Sequence, residues 1–536
     1  IPVPGDGDSL SSGPSLGPGL HAGSGHASPI MDPITSFESG RGRRPSSTGH
    51  SANSSVNSSV SEEVQDWIQE NVDVDHVALL ASAVAEMRAT RPDIVRATRV
   101  GFALLGFGRP FWARGGDFWR FSQQTDRIRS FWSHSWHGSV WMKVVTLLLH
   151  YNATPAFLLS NLAVLLAAVL FYVRILPDMR GFQSWYCVYA GCPVQILTVF
   201  LWPRRPLVFV DRVCIHQYDP QLKMAALFSL GATLKCSEEM LVMWDPSYVR
   251  RLWCIFEISA FLRSAPEGEK ARISVRPTVL GPLVLSVVIA LALTATMFHP
   301  GHAAANERGM GLNTVGFWPL LVIPVGAIFF YVVVRARRFC KEVGILEHEM
   351  AEFRFDKAFS YCCSVAHRDP VTGGSLICDR QIVRRCVCEW FGSVEAFEAR
   401  VHSEVSSTVL HQLATQIVTF WRVISNTPAV FWLFLDLALP WLRESNYRLF
   451  YTTVLRGLTQ WLALPMTVIV VLYKLCYSLQ EEWKFRVVDA CVSLFILIVG
   501  LLIAAAFLAF DQVSIFQEWF GPDAVDQQAW ASVGIL

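Results

Sequence analysis

The apolar residues of this chain gather into runs of about one bilayer thickness, and the stretches between them follow different periods. A helix needs about 20 apolar residues to cross a bilayer core. Six segments meet or approach that length: 157–176, 185–202, 279–298, 316–334, 457–473 and 490–510. A seventh, 414–435, is long enough but carries Arg422. Between the second and third runs the pattern changes. Leu207, Val208, Phe209 and Val210 form a short apolar run that ends at Asp211. The stretch 221–235 puts Leu222, Ala225, Ala226 and Leu230 on one helical face. A second apolar run at 240–244 is followed by Asp245, Pro246 and Ser247, a turn and N-cap, then by a helix over 248–262 and a strand over 271–275. Strands alternating with helices predict a parallel sheet with helices on its faces.

The first strand of such a sheet is supplied from before the hairpin, at Phe131 to Trp136. The predicted fold class is therefore a multi-span α-helical membrane protein with a split, small parallel α/β domain. Its halves, 128–150 and 207–278, flank a membrane hairpin at 151–206. A disordered tail (1–60) and a helical region (61–127) precede it. A second hairpin (279–338), a Cys-rich helical segment (339–413), three spans (414–510) and an exterior tail (511–536) follow. Because the chain opens on Ile1 rather than Met, it reads as a piece of a longer protein.

Charge fixes the expected sidedness. Arg204 and Arg205, then Arg335, Arg337 and Arg338, then Lys474, Lys484 and Arg486 fall on one side if all seven segments cross. Positive charge marks the cytosolic side, so the α/β domain is expected there, on an unspecified membrane. The tail 511–536 has no Lys or Arg and fits the other face, whereas Arg443, Arg448 and Arg456 weakly break the rule. A net charge of +1 gives no reason to expect a nucleic-acid partner; the lipid bilayer is the expected partner. The thirteen cysteines read as reduced thiols. The sequons at Asn53 and Asn57 read as chance matches in a Ser-rich tail.

Four motifs now occur in a telling order: Ser133, His134, Ser135 and Trp136; then Val208, Phe209, Val210 and Asp211; then Cys236 and Ser237; then Tyr248, Arg251, Trp253, Cys254 and Glu257. In that order they resemble the Toll/interleukin-1 receptor (TIR) domain, over about 85 residues of the chain. The run from Asp211 through Cys214 to Gln217 is also similar to a motif of fungal heterokaryon-incompatibility domains, with His216 where that motif has Asn. The whole arrangement, including Cys378-Asp379-Arg380 and Trp390-Phe391-Gly392-Ser393, resembles multi-pass proteins of dinoflagellate algae. The resemblance implies a flavodoxin-like fold whose first crossover helix is replaced by the membrane hairpin. It implies partners in self-association or in other TIR-like domains. In enzymatic relatives the glutamate of the last motif is needed to cleave the bond between nicotinamide and ribose. That role would fall on Glu257, with NAD as substrate and no bound cofactor.

The chemistry agrees with that assignment. Ligands of open α/β sheets bind beyond the carboxyl ends of the strands. Ser133, His134, Ser135, Trp136 and Asp211 are expected there as substrate-binding groups, and Trp136 or Trp253 could stack on a base. A fixed carboxylate stabilises an oxocarbenium-like sugar. Plainer readings stand beside these. Glu257 could pair with Arg250 or Arg251, Asp211 could accept turn amide hydrogens, and His134 and His216 could be structural. Within the spans the ionisable candidates are Arg422, Asp436 and Arg456, as functional groups, as an Asp436–Arg456 pair, or as interfacial residues. Zinc sites usually use spaced pairs such as Cys-x2-Cys. Cys362, Cys363, Cys378, Cys386 and Cys388 do not match, so no metal is predicted. Three functions remain open: a membrane-anchored TIR-like NAD hydrolase, a non-enzymatic interaction module, and a transporter or channel with a regulatory domain.

Overall fold

The computed structural model describes residues 86–512 except 114, 180–183, 266–270, 309–311, 369–372, 374–377, 416, 482 and 484. The tails expected at 1–60 and beyond 512 lie outside the described residues. The chain is mostly helical, with a small mixed sheet of six strands: β1 (Arg96–Arg99), β2 (Ser122–Gln124), β3 (Ser130–His134), β4 (Leu207–Phe209), β5 (Met240–Trp244) and β6 (Ile273–Pro277). Their order is β2-β1-β4-β3-β5-β6. The four strands expected from the sequence, β3 to β6, are parallel. The sheet as a whole is not, because β1 joins β4 antiparallel and β2 joins β1 antiparallel. These two strands come from the region expected to be helical. They cover the edge of the short strand β4, which would otherwise present unpaired backbone groups.

The split is real in the hydrogen-bond ladder. Ser130 and Phe131 of β3 pair with Val208 and Phe209 of β4 across the hairpin. The Phe131 and Phe209 rings stack with centroids 4.6 Å apart. On its other side β3 pairs with β5, Phe131 to Met240 through His134 to Met243. All residues of β3 and β5 are buried, as expected of central parallel strands covered on both faces.

One helix, Val140–Tyr172, leaves the sheet and becomes the first membrane-length helix without a break. Val144, Val145, Leu147 and Leu148 are buried in the sheet's core, whereas Leu158, Leu162, Leu165 and Leu166 lie more than half exposed. The same helix thus fills the place of a crossover helix at one end and offers an apolar surface at the other.

Among the described residues, four helices are long and apolar enough to cross a membrane: Val140–Tyr172, Leu280–Phe298, Tyr447–Ser478 and Arg486–Phe507. The other expected spans fall on one longer helix, one bent pair and one short helix. The segment 316–334 lies within the 40-residue helix Leu312–Ala351. The segment 414–435 is broken, with Phe420–Asn426 and Ala429–Arg443 meeting at 52°. Pro428 sits at that break and disfavours helical geometry at Thr427 before it. Tyr186–Leu201 has only 16 residues, fewer than the roughly 20 that span a bilayer core.

This short helix is fastened by charge at both ends. At its start the Asp436 carboxylate accepts from the backbone amides of Cys187 and Val188, both at 2.9 Å, and from the Ser184 hydroxyl at 2.8 Å. At its end Arg204 donates to the carbonyls of Val199 (3.0 Å) and Phe200 (3.3 Å) and to Asn152 Oδ1 (3.1 Å). Anions favour helix starts and cations helix ends. Asp436, for which pairing with Arg456 and an interfacial place were the two expectations, thus also serves a helix terminus. Arg443 meets Asp178 at 2.5 Å and lies over the Phe171 ring, which neutralises one of the positive charges that broke the sidedness rule. Arg337, counted there as a free positive charge, is buried. It donates to the carbonyls of Leu479, Glu481 and Asp489 and to the side chains of Asp489 and Ser493.

Asp436→Ala leaves two helix-start amides without their carboxylate. Hydrogen bonds to charged groups are worth about 1.5–3 kcal/mol each. Unfolding in detergent should lose about 3 kcal/mol, with Asp436→Asn falling between the two proteins. An unchanged unfolding midpoint would contradict the capping role.

Candidate functional site

Buried polar groups collect where the parallel strands end. β3 ends in Ser133 and His134, Asp211 follows β4, and Asp245 follows β5. The helix Leu252–Ser264 lies against this end and brings Glu257 to Ser133, whose hydroxyl donates to Glu257 Oε2 at 2.6 Å. Ser133 also shares a 2.7 Å hydrogen bond with the Tyr248 hydroxyl, which donates to the Cys254 carbonyl at 3.3 Å. Burial pushes the Glu257 carboxyl up to about 8, against the opposing pull of the Ser133 hydrogen bond. Asp211 is similar but milder. Burial raises it to about 6, while hydrogen bonds from the Trp136 indole (3.0 Å) and the Arg212 amide (2.6 Å) hold it down.

Ser135 continues the network. Its hydroxyl meets Ser247 Oγ at 2.6 Å and accepts from the His137 amide at 3.2 Å. Asp245 Oδ1 accepts from the Ser247 amide at 2.9 Å and from its hydroxyl. Asp245 Oδ2 is buried and has no hydrogen-bond partner, and His134 Nε2 is likewise an orphan. Burial holds the His134 imidazole well below its ordinary value, so it is neutral. The chain passes so close here that a Cβ at Gly138 would strike the Asp245 carboxylate.

The structure therefore brings together Ser133, His134, Ser135, Trp136, Asp211 and Glu257. Trp136 is committed to Asp211 and packs its ring 4.6 Å from His134. Trp253 turns elsewhere, its indole buried beside the Asp379 carboxyl, which burial raises to about 7. Of the alternative partners for Glu257, Arg250 reaches Glu349 and Arg251 reaches His137, while the hydrogen bond of Glu257 goes to Ser133. His216 accepts from the Asp219 amide at 2.8 Å, a structural role. Arg422 and Arg456 belong to the helical bundle, on Phe420–Asn426 and Tyr447–Ser478, away from this cluster.

Sequence reasoning missed Lys143. Its ammonium is buried near Asp245 and Asp211 and donates to the Ser135 carbonyl. The signal was present as a single cation within the apolar run from Val140 to Leu149. In the Cys-rich segment, for which the spacing predicted no metal, Cys362, Cys363, His367 and Cys378 converge as ligand-type side chains, whereas Cys386 and Cys388 are not in the group.

No protein-family model matches this chain, and no curated protein or solved structure is similar to it. Its own site chemistry has to carry the functional reading.

The raised carboxyl gives a signed expectation. Folded Glu257 holds its proton up to about 8, while its ordinary value is 4.5. Stability is therefore full below the ordinary value and is lost as pH rises through that window, by up to about 1.4 kcal/mol per pH unit. Glu257→Gln should flatten thermal unfolding across pH 5 to 8 and make the variant the more stable protein at about pH 8. Parallel pH profiles for the two proteins would contradict the burial assigned to this carboxyl.

Proposed function

We propose that this chain is a membrane-anchored signalling protein whose TIR-like sheet domain hydrolyses the nicotinamide–ribose bond of NAD. The observation that carries this reading is the Ser133–Glu257 hydrogen bond inside a cluster of perturbed carboxyls at the strand ends. Perturbed acids gathered at the ligand-binding end of a parallel sheet are the mark of a working site. In the reaction, the bond from ribose C1 to the nicotinamide nitrogen breaks and the ring leaves with the bonding pair. Water adds at C1 and releases a proton. The Glu257 carboxylate would face the positive charge that develops on the sugar. A neutral carboxyl cannot do this, but an arriving cationic nicotinamide lowers the pKa of a neighbouring acid and favours its ionised form. Ser133 would then hold the carboxylate in place, and the unpartnered Asp245 Oδ2 would be free to accept a ribose hydroxyl.

A second reading has its own support. Ser133, Tyr248 and Glu257 satisfy one another, and Glu257 is 8% exposed. A network this closed also suits a non-enzymatic TIR-like module that binds partners, or copies of itself, through its surface. If the first reading holds, self-association must open the site to NAD. The spans read better as an anchor than as a transport path, since Asp436 and Arg337 are engaged in holding helices together. Their arginine clusters favour the cytosolic side for the sheet domain.

NAD consumption by the purified full chain in detergent, with crowding to promote assembly, tests the reading. Turnover should fall by about 100-fold or more in Glu257→Gln, the scale expected when an electrostatic stabiliser is removed. No turnover in either protein, both folded, would leave the interaction module as the function.

A further inference from the structure

We propose that Cys362, Cys363, His367 and Cys378 form a structural zinc site that locks the Cys-rich segment against the sheet domain. Their ligand atoms all lie within 4.8 Å of one another. Cys363 Sγ is 3.8 Å from Cys362 Sγ, 3.9 Å from Cys378 Sγ and 3.6 Å from His367 Nε2. With Zn–S near 2.3 Å and Zn–N near 2.0–2.1 Å, the edges of a tetrahedron are about 3.8 Å between sulfurs and about 3.6 Å from sulfur to nitrogen. The three measured separations match those edges. A disulfide needs sulfurs about 2.05 Å apart, and the three cysteines are free.

The backbone is shaped to deliver these ligands. Tyr361–Ser364 is a single helical turn. It ends with the His367 amide donating to the Cys362 carbonyl at 2.8 Å and the Ala366 amide to the Cys363 carbonyl at 3.3 Å. Ala366 and His367 both take positive φ, 52° and 56°. Left-handed geometry costs a non-glycine residue about 1–2 kcal/mol, and here it swings the imidazole back over Cys363. The surroundings suit thiolates. The Asp379 amide donates to Cys362 Sγ at 3.3 Å, and Ser360 Oγ lies 3.2 Å from the same sulfur. The Arg380 guanidinium lies beside Cys363 and offsets the net negative charge of three thiolates around a dication.

With four protein ligands the coordination sphere is full, which marks a structural zinc rather than a catalytic one. Its place explains what it would hold. Phe359, just before the cluster, bridges in parallel to Arg251 at the start of the Glu257 helix. The Leu252 amide donates to the Phe359 carbonyl at 3.1 Å, and the Phe359 amide to the Arg250 carbonyl at 2.7 Å. Asp379, just after it, is buried beside Lys223, Arg251 and Trp253. The metal would clip both ends of one loop onto that helix, releasing thiol protons as it binds.

Metal content of the full chain, purified in detergent without chelator, is the test. About one zinc per chain is expected, lost in Cys363→Ser and in His367→Ala but kept in Cys388→Ser. His367→Cys, which supplies a fourth thiolate, should keep the metal and so separates ligand loss from misfolding. Cobalt added to the stripped protein should give the intense visible bands of tetrahedral thiolate coordination. A chain that holds no zinc and gives no such bands would overturn the proposal. So would zinc that survives both Cys363→Ser and His367→Ala, or a disulfide linking Cys363 to Cys362 or Cys378.

Discussion

The parallel pairing of β3 with β4 is the constraint on which this structure rests. Parallel neighbours need a crossover connection, and in this chain the connection is a long helix followed by a short one. The sheet can close only if the second helix returns the chain to the side the first one left. The Val140–Tyr172 helix serves both ends of that bargain, with sheet-packing residues in its first turns and exposed leucines further along. The return helix is short, and charged side chains take up its terminal backbone groups: the buried Asp436 at one end and the half-buried Arg204 at the other. Unpaired backbone groups are costly away from water, so these two side chains let a 16-residue helix end where it does.

The Val140–Tyr172 helix couples the hairpin to the buried polar cluster. Lys143 sits on its first turn and reaches the Ser135 carbonyl among Asp211 and Asp245. The site is thus built from the N-terminal half (β3 and Lys143), the C-terminal half (Asp211, Asp245 and Glu257) and the layer around Asp379 that packs over the Glu257 helix. The stacked Phe256 and Trp390 rings, 5.1 Å apart, join that layer to the domain. The Cys-rich segment thus packs against the helix that carries Glu257, and Lys143 ties the first membrane-length helix to the same buried cluster.

Much of this was legible in the sequence. β5 announces itself as an apolar run, whereas β3 has only Phe131 and Trp132 as apolar residues and was legible through the motif that runs from Phe131 to Trp136, which includes the candidate residues Ser133 and His134. The edge strands were hidden because Arg96–Arg99 and Ser122–Gln124 carry too few apolar side chains to show a period of two; they form by pairing with a strand supplied by distant sequence. The bent pair around Pro428 shows the limit of counting apolar residues, since composition gives the length of a run but not its straightness. Asp436 was singled out as an ionisable residue that could pair with Arg456 or lie at the interface; its bonds to the Cys187 and Val188 amides were hidden because backbone amides leave no trace in composition. No metal was predicted for the Cys-rich segment because the four side chains that converge there come from a helical turn, a left-handed bend and a residue 15 positions from Cys363, not from two spaced pairs.

Sidedness of the hairpin tests the central claim most directly. One epitope would be inserted at 181, between the two helices, and another at 268, after the Glu257 helix, each in an otherwise intact chain in sealed vesicles. The account predicts that antibody reaches the two epitopes from opposite faces of the membrane. Access to both from the same face would mean that the hairpin never crosses, and the sheet would then owe nothing to a membrane return.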